Sequence, residues 1–168
     1  MVSHQPIRVA TICTGNICRS PMAEVVLRHL IGKDRLLKDH VRVTSAGTAN
    51  WHVGIPMDPR ARAALDRAGY RAAGSLGTFA DGDFLNRQDL VVVMTREHRS
   101  DVQLRLNNSA TEVMLWRNLI EEGEELDVAD PYYGGDNEFD ECLAILCVGA
   151  ERLTSLLRTR VDARARDA

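Results

Sequence analysis

Residues 13–20 read Cys-Thr-Gly-Asn-Ile-Cys-Arg-Ser and stand between a strand-like run, 7–12, and a helix start at Ser20-Pro21. A strand that empties into a Gly/Asn loop and then a helix leaves the loop at a helix N-terminus. Backbone N–H groups there converge on an anion, and the helix dipole reinforces them. Cys13 sits at the mouth of that loop, where the same field favours thiolate over thiol. Arg19, six positions on, adds a planar fork that binds two oxygens of one tetrahedral anion. Gly15 and Asn16 are the residues that best tolerate positive φ, which a loop turning its N–H groups inward requires. This pattern describes a thiol nucleophile facing an oxyanion.

Strand and helix signals alternate along the rest of the chain. Residues 41–46 form a β-branched run closed by Gly47, and 89–94 is largely apolar, as in a strand buried on both faces. A weaker strand is expected at 111–115. Asp58-Pro59 caps a helix with Ala61, Ala64, Leu65 and Ala68 on one face, ended by Gly69. A polar helix runs to about Leu106, and a long one spans 137–161 with Phe139, Leu143, Leu146, Ala150, Leu153 and Leu157 at helical steps. Such alternation predicts an α/β fold in three layers, a four-stranded parallel sheet with helices on both faces. Ligands in such sheets sit at the carboxyl ends of the strands, where Cys13 lies. The irregular stretches 47–57 and 116–129 are expected to face the substrate.

Composition narrows the class. The 168 residues suit one domain, 1–168, with 45% hydrophobic and 27% charged residues. A net charge of −3 gives no reason to expect nucleic acid or an anionic membrane as partner. The basic tail at Arg158, Arg160, Arg164 and Arg166 is interrupted by Asp162 and Asp167 and reads as a solvated helix end. No signal-peptide core and no membrane span is evident. Reduced thiols and cytoplasmic residence are expected, with secretion by a signal-less route left open.

Other groups are weighed against this loop. Asp130, in Asp-Pro-Tyr-Tyr-Gly-Gly, is either a plain turn residue or the acid that protonates a leaving oxygen; Pro131 holds it extended. Tyr132 and Tyr133 offer aromatic walls, and Trp51 is either the pocket's mouth or a structural side chain. Cys18 either packs into the core or forms a reversible disulfide with Cys13. Cys142 and Cys147, five apart on a helix, read as core. His98, on the polar helix, and His4, His29 and His40 are given no catalytic part. No metal or cofactor motif is present.

The chain resembles the low-molecular-weight protein tyrosine phosphatases, bacterial members most of all. The resemblance rests on residues 13–24, on Ser45-Ala46-Gly47 and on Asp130-Pro131-Tyr132-Tyr133, and it spans nearly the whole length. It implies hydrolysis of phosphotyrosine through a cysteinyl-phosphate, with Cys13 as nucleophile, Arg19 as phosphate clamp and Asp130 as general acid. Thr14, Gly15, Asn16, Ile17 and Cys18 would line the phosphate, with Asn16, Ser20 and Ser45 holding the loop. Trp51, Tyr132 and Tyr133 would line the cleft. Partners would be phosphotyrosine-bearing proteins, a bacterial tyrosine kinase among them. Two departures stand out: residues 74–78 and Thr95 replace residues that support the loop in many members. The rival reading is an arsenate reductase of the same fold that uses an external thiol.

Overall fold

A computed structural model describes residues 5–72, 74–107, 110–121 and 126–166. His4, Asp167 and part of the 116–129 stretch lie outside the described residues. Four parallel strands, β1 (Ile7–Cys13), β2 (Val41–Gly47), β3 (Leu90–Val93) and β4 (Glu112–Leu115), form one sheet in the order β2-β1-β3-β4. Among the described residues six α-helices accompany them: α1 (Arg19–Lys33), α2 (Leu37–His40), α3 (Pro59–Arg67), α4 (Gly82–Asn86), α5 (Arg96–Arg105) and α6 (Asp136–Arg166).

The layers follow from strand alternation. Val9 of β1 and Leu90 and Val92 of β3 join the core under α1, α3 and α6, while Ala10, Ile12, Val91 and Val93 join the core under α4 and α5. Successive side chains on a strand point to opposite faces, so a strand covered on both sides is largely apolar. The long α6 carries Phe139, Leu143, Leu146, Ala150, Leu153 and Leu157 on its buried stripe. It runs further than its apolar repeat, and Arg160 and Arg164 in its last turns pair with Glu112 at 2.7 Å and Asp89 at 3.5 Å.

The signals at the ends of α3 are explained individually. Asp58 caps α3 by accepting from the Arg60 amide at 2.8 Å, and Gly69 takes φ +82° beyond its end. Ala68, expected on the buried face, is instead the exposed C-cap residue. α2 and α4 have four and five residues, too short to leave a periodic signal.

Register fixes where the site falls. Cys13 pairs with Gly47 and Ile12 with Val93, so β1, β2 and β3 end side by side. The chain then extends the sheet edge: the Met94 amide donates to Ile12 O at 3.0 Å, and the Val128 amide to Met94 O at 2.8 Å. Val128 thereby carries Asp130 to the carboxyl end of the sheet.

Candidate active site

The loop between β1 and α1 is held from outside by its own carbonyls. Cys13 O accepts from Thr48 N at 2.9 Å, Thr14 O from Ala49 N at 3.0 Å, Ile17 O from Asp58 N at 2.8 Å and Cys18 O from Met22 N at 3.1 Å. In a trans peptide the N–H points opposite to the C=O. Turning those carbonyls outward therefore turns the amides of Thr14, Gly15, Cys18 and Arg19 inward. Among the described residues, none of the amides of Thr14 to Cys18 donates to a protein acceptor. A ring of unspent donors is an anion cradle.

Asn16 makes this geometry possible. It is the one described non-glycine residue with positive φ, at 56°, and its side chain makes three hydrogen bonds. Its amide nitrogen donates to Ser20 Oγ and Ser45 Oγ, both at 2.9 Å, and its oxygen accepts from the Thr78 amide at 2.9 Å. Gly15, expected to share the positive φ, does not; it serves close approach, since a Cβ there would lie 2.9 Å from His52 Cδ2. Ser20 Oγ stands 3.0 Å from Cys13 Sγ. Ser45 Oγ donates to buried Glu24 at 2.5 Å, and Glu24 is paired with Arg28 at 2.9 Å. An unbroken polar chain thus runs from Arg28 to the Cys13 sulfur.

Arg19 is almost fully buried beneath the cradle. Its Nη1 donates to Val128 O at 3.1 Å, and its Nη2 to Asp130 Oδ2 at 2.8 Å and Thr14 Oγ1 at 3.4 Å. Asp130 is extended, at φ −82° and ψ 115°, and caps the short 3-10 turn Pro131–Tyr133 by accepting from the Tyr132 amide. The result is a cleft of about 270 Å3 lined by Cys13, Thr14, Gly15, Ile17, Cys18, Arg19, Trp51, His52, Asp130, Tyr132 and Tyr133. All the residues expected in the loop and cleft meet here, except Asn16, Ser20 and Ser45, which lie behind the loop as its support.

The sequence model of the low molecular weight phosphotyrosine protein phosphatases matches residues 8–164. The chain belongs to this family. It is 40% identical over 163 residues to the low molecular weight protein-tyrosine-phosphatase of Streptomyces coelicolor, covering 94% of this chain and 98% of that one. It is 41% identical over 146 residues to low molecular weight protein-tyrosine phosphatase A of Mycobacterium tuberculosis, covering 84% and 85%. Among solved structures, YfkJ from Bacillus subtilis superposes with a TM-score of 0.83 at 28% identity, covering 94% of this chain and 98% of that one.

Five residues that the sequence did not assign to the site support it. His98 is buried with its Nε2 at 2.8 Å from Thr14 Oγ1, and burial with the nearby Arg19 charge lowers its pKa to about 4. Glu24 anchors the Ser45 hydroxyl. Arg60 donates to Tyr132 O at 2.9 Å and Gly134 O at 3.2 Å, and its guanidinium stacks between the rings of Tyr132 and Phe139. Asp58 holds Arg60 in place at 2.8 Å, and that bond draws the Asp58 pKa below its ordinary value. Thr78 contributes only its backbone.

The departures and the cysteines find physical accounts. Thr95 caps α5, its Oγ1 accepting from the His98 amide at 3.2 Å, so it sets the helix that delivers His98. Residues 74–78 still reach the loop through the Thr78 amide. All four cysteines are free thiols. Burial and the Asp58 charge push the Cys18 thiol far up, which keeps it protonated. Cys142 is buried near Arg19 and Cys13, and burial pushes it up to about 12; Cys147 is half-buried and meets Tyr70 Oη at 3.5 Å. Among the described residues no cluster of three or more His, Cys, Asp or Glu side chains is placed to hold a metal.

Proposed function

We propose that this chain is a protein-tyrosine phosphatase that hydrolyses phosphotyrosine in two steps through Cys13. The observation that carries the reading is the convergence of Cys13, Arg19 and Asp130 on one cleft walled by Trp51, Tyr132 and Tyr133. The family match and relatives named as protein-tyrosine phosphatases support it. Matching of residues 8–164 as a unit supports reading the chain as one catalytic domain.

In the first step the Cys13 thiolate attacks phosphorus in line, forming S–P as the P–O bond to the phenol breaks. The inward amides and Arg19 hold the equatorial oxygens, where charge is spread in the transition state. Asp130 gives its proton to the departing phenolate. In the second step the same carboxylate takes a proton from water, whose oxygen attacks phosphorus. The S–P bond breaks, inorganic phosphate leaves and the thiolate is restored. The hydroxyl of Ser20, fixed by Asn16, stabilises sulfur as it regains charge. Aromatic walls on both sides suit an aryl ester, and this favours phosphotyrosine over arsenate.

Phosphotyrosine-bearing proteins are the substrates on this reading, and a bacterial tyrosine kinase is one such partner. A thiol nucleophile fits a reducing cytoplasm. No helix among the described residues is long and apolar enough to cross a membrane. The test is hydrolysis of a phosphotyrosyl peptide without added metal by wild type, Cys13→Ser and Asp130→Ala. Wild type turns over and forms a phospho-cysteine on rapid quenching, whereas Cys13→Ser does neither. Turnover by Cys13→Ser equal to wild type overturns the mechanism.

A further inference from the structure

Among the described residues, eight large apolar side chains are exposed, and six of them lie on the segments that line one cleft or on the stretch bonded to those segments. Trp51, Tyr132 and Tyr133 line the cleft itself. Val53, Ile55 and Leu76 continue outward from Trp51 with exposures of 49–56%. Scattered surface apolar residues need no explanation, but a cluster beside a cleft marks a binding surface.

This extension is built on a fixed strap. The Gly54 amide donates to Gly77 O at 2.9 Å and the Gly77 amide to Ile55 O at 2.8 Å, with Pro56 and Leu76 bridged in antiparallel register. These bonds set Leu76 opposite Pro56 and Gly77 opposite Ile55, so the two apolar residues stand one position apart across the strap. Gly77 is needed for the contact, because a Cβ there would lie 2.1 Å from His52 O. Apolar side chains displayed on a braced strap lose little freedom when something covers them.

The strap is also uncharged. Residues 47–57 and 74–80 contain no Asp, Glu, Lys or Arg, in a chain that is 27% charged. Its own side chains offer a charged partner segment no Asp, Glu, Lys or Arg to pair with, whereas an apolar segment would cover the exposed side chains. Trp51 belongs both to the cleft and to the strap, so the two surfaces are continuous.

We infer that the strap is the docking surface for the residues flanking the substrate's phosphotyrosine, and that it selects extended segments with apolar side chains within about four residues on one side. An extended peptide advances about 3.3 Å per residue, so a segment leaving the cleft over Trp51 passes along Val53 and Ile55 toward Leu76. The inference rests on the phosphatase reading and names the substrate class of that same cleft.

The test compares two phosphotyrosyl peptides of equal length and charge, one with Leu and Val flanking the phosphotyrosine and one with Ser and Gln. Each is assayed with wild type, Ile55→Ser, Leu76→Ser and the double variant, beside 4-nitrophenyl phosphate, which fills only the cleft. Wild type prefers the apolar peptide by about tenfold in kcat/KM, carried by KM. The double variant loses the preference and keeps its rate on 4-nitrophenyl phosphate. Equal treatment of the two peptides by wild type overturns the docking, as does a preference that survives both substitutions. A concentration-dependent wild-type dimer that the double variant loses, with peptide preference unchanged, also overturns it and assigns the strap to a second copy of this chain. Absence of turnover on every substrate overturns the phosphatase reading instead. The docking is then decided by the fluorescence anisotropy of the same peptides on the Cys13→Ser protein.

Discussion

Arg19 Nη2 donates to Asp130 Oδ2 at 2.8 Å, so the two residues proposed as clamp and acid share one nitrogen. On the proposed mechanism, a phosphoryl group entering the loop should compete for that nitrogen and release Asp130 toward the leaving oxygen. The two functions of the pair therefore separate on mutation. Asp130→Ala should lower kcat on phosphotyrosyl peptide by roughly 10²–10⁴, and less on aryl phosphates whose phenols leave unaided. The same variant should bind inorganic phosphate more tightly, by up to about fivefold, because a part-exposed ion pair is worth about 1 kcal/mol or less. Steady-state kinetics and product inhibition measure both. Weaker phosphate binding in the variant contradicts the shared-nitrogen account.

Arg60 ties the acid-bearing turn to α3 through two carbonyls, one carboxylate and two rings. Lysine keeps the charge but cannot reproduce a planar fork. Loss of one or two such bonds costs about 1–2 kcal/mol, which corresponds to about five- to thirtyfold in rate. Arg60→Lys should show that loss on phosphotyrosyl peptide and near-parental rates on aryl phosphates with good leaving groups. A uniform loss across leaving groups indicates general destabilisation of the site rather than misplacement of the acid.

Asn16 combines a backbone requirement with a side-chain one, and two variants divide them. Asn16→Gly tolerates φ 56° but loses the bonds to Ser20, Ser45 and Thr78. Asn16→Ala loses the same bonds and adds strain in the left-handed region. Both should fall well below wild type in kcat. Thermal unfolding should place Ala below Gly, by about 1 kcal/mol for the backbone strain. Equal melting temperatures for the two variants contradict that division.

Much of this was legible in the sequence because the relevant signals are local. Strands buried on both faces read as apolar runs, and the segments from Cys13 to Ser20 and from Asp130 to Tyr133 each carry their chemistry within a few residues. What was not legible acts across the fold. Thr14 meets His98 over 84 positions, and Arg60 meets Tyr132 O over 72. Neither partner has a spacing that announces the other. Thr95 read as a departure from the family pattern, and its cap bond to α5 shows what it does in its place. Gly15 and Asn16 read as equivalent until the packing of His52 separated space from φ.

His98 makes stability depend on pH in one direction. Burial, then the Arg19 charge, lowers its pKa from 6.5 to about 4, and Asp127 opposes this. The folded protein therefore keeps the ring neutral where the unfolded chain already binds a proton. Above pH 6.5 both states are neutral and His98 contributes no slope. Between pH 6.5 and 4 the unfolded state holds more protons, so stability falls as pH falls, by a total on the order of 3 kcal/mol. Below pH 4 both states are protonated and the slope from this group ends. Carboxylates such as Asp58 and Asp127, whose folded pKa values are lowered, add their own losses below about pH 4. Urea unfolding at pH 7, 5.5 and 4.5 isolates the histidine when wild type is compared with His98→Gln, which keeps a hydrogen-bonding group for Thr14. The variant should be less stable at pH 7, through lost packing, yet show the shallower decline toward pH 4.5. Parallel declines in the two proteins would show that His98 takes up its proton at its ordinary pKa in the folded state, and that the acid sensitivity has another source.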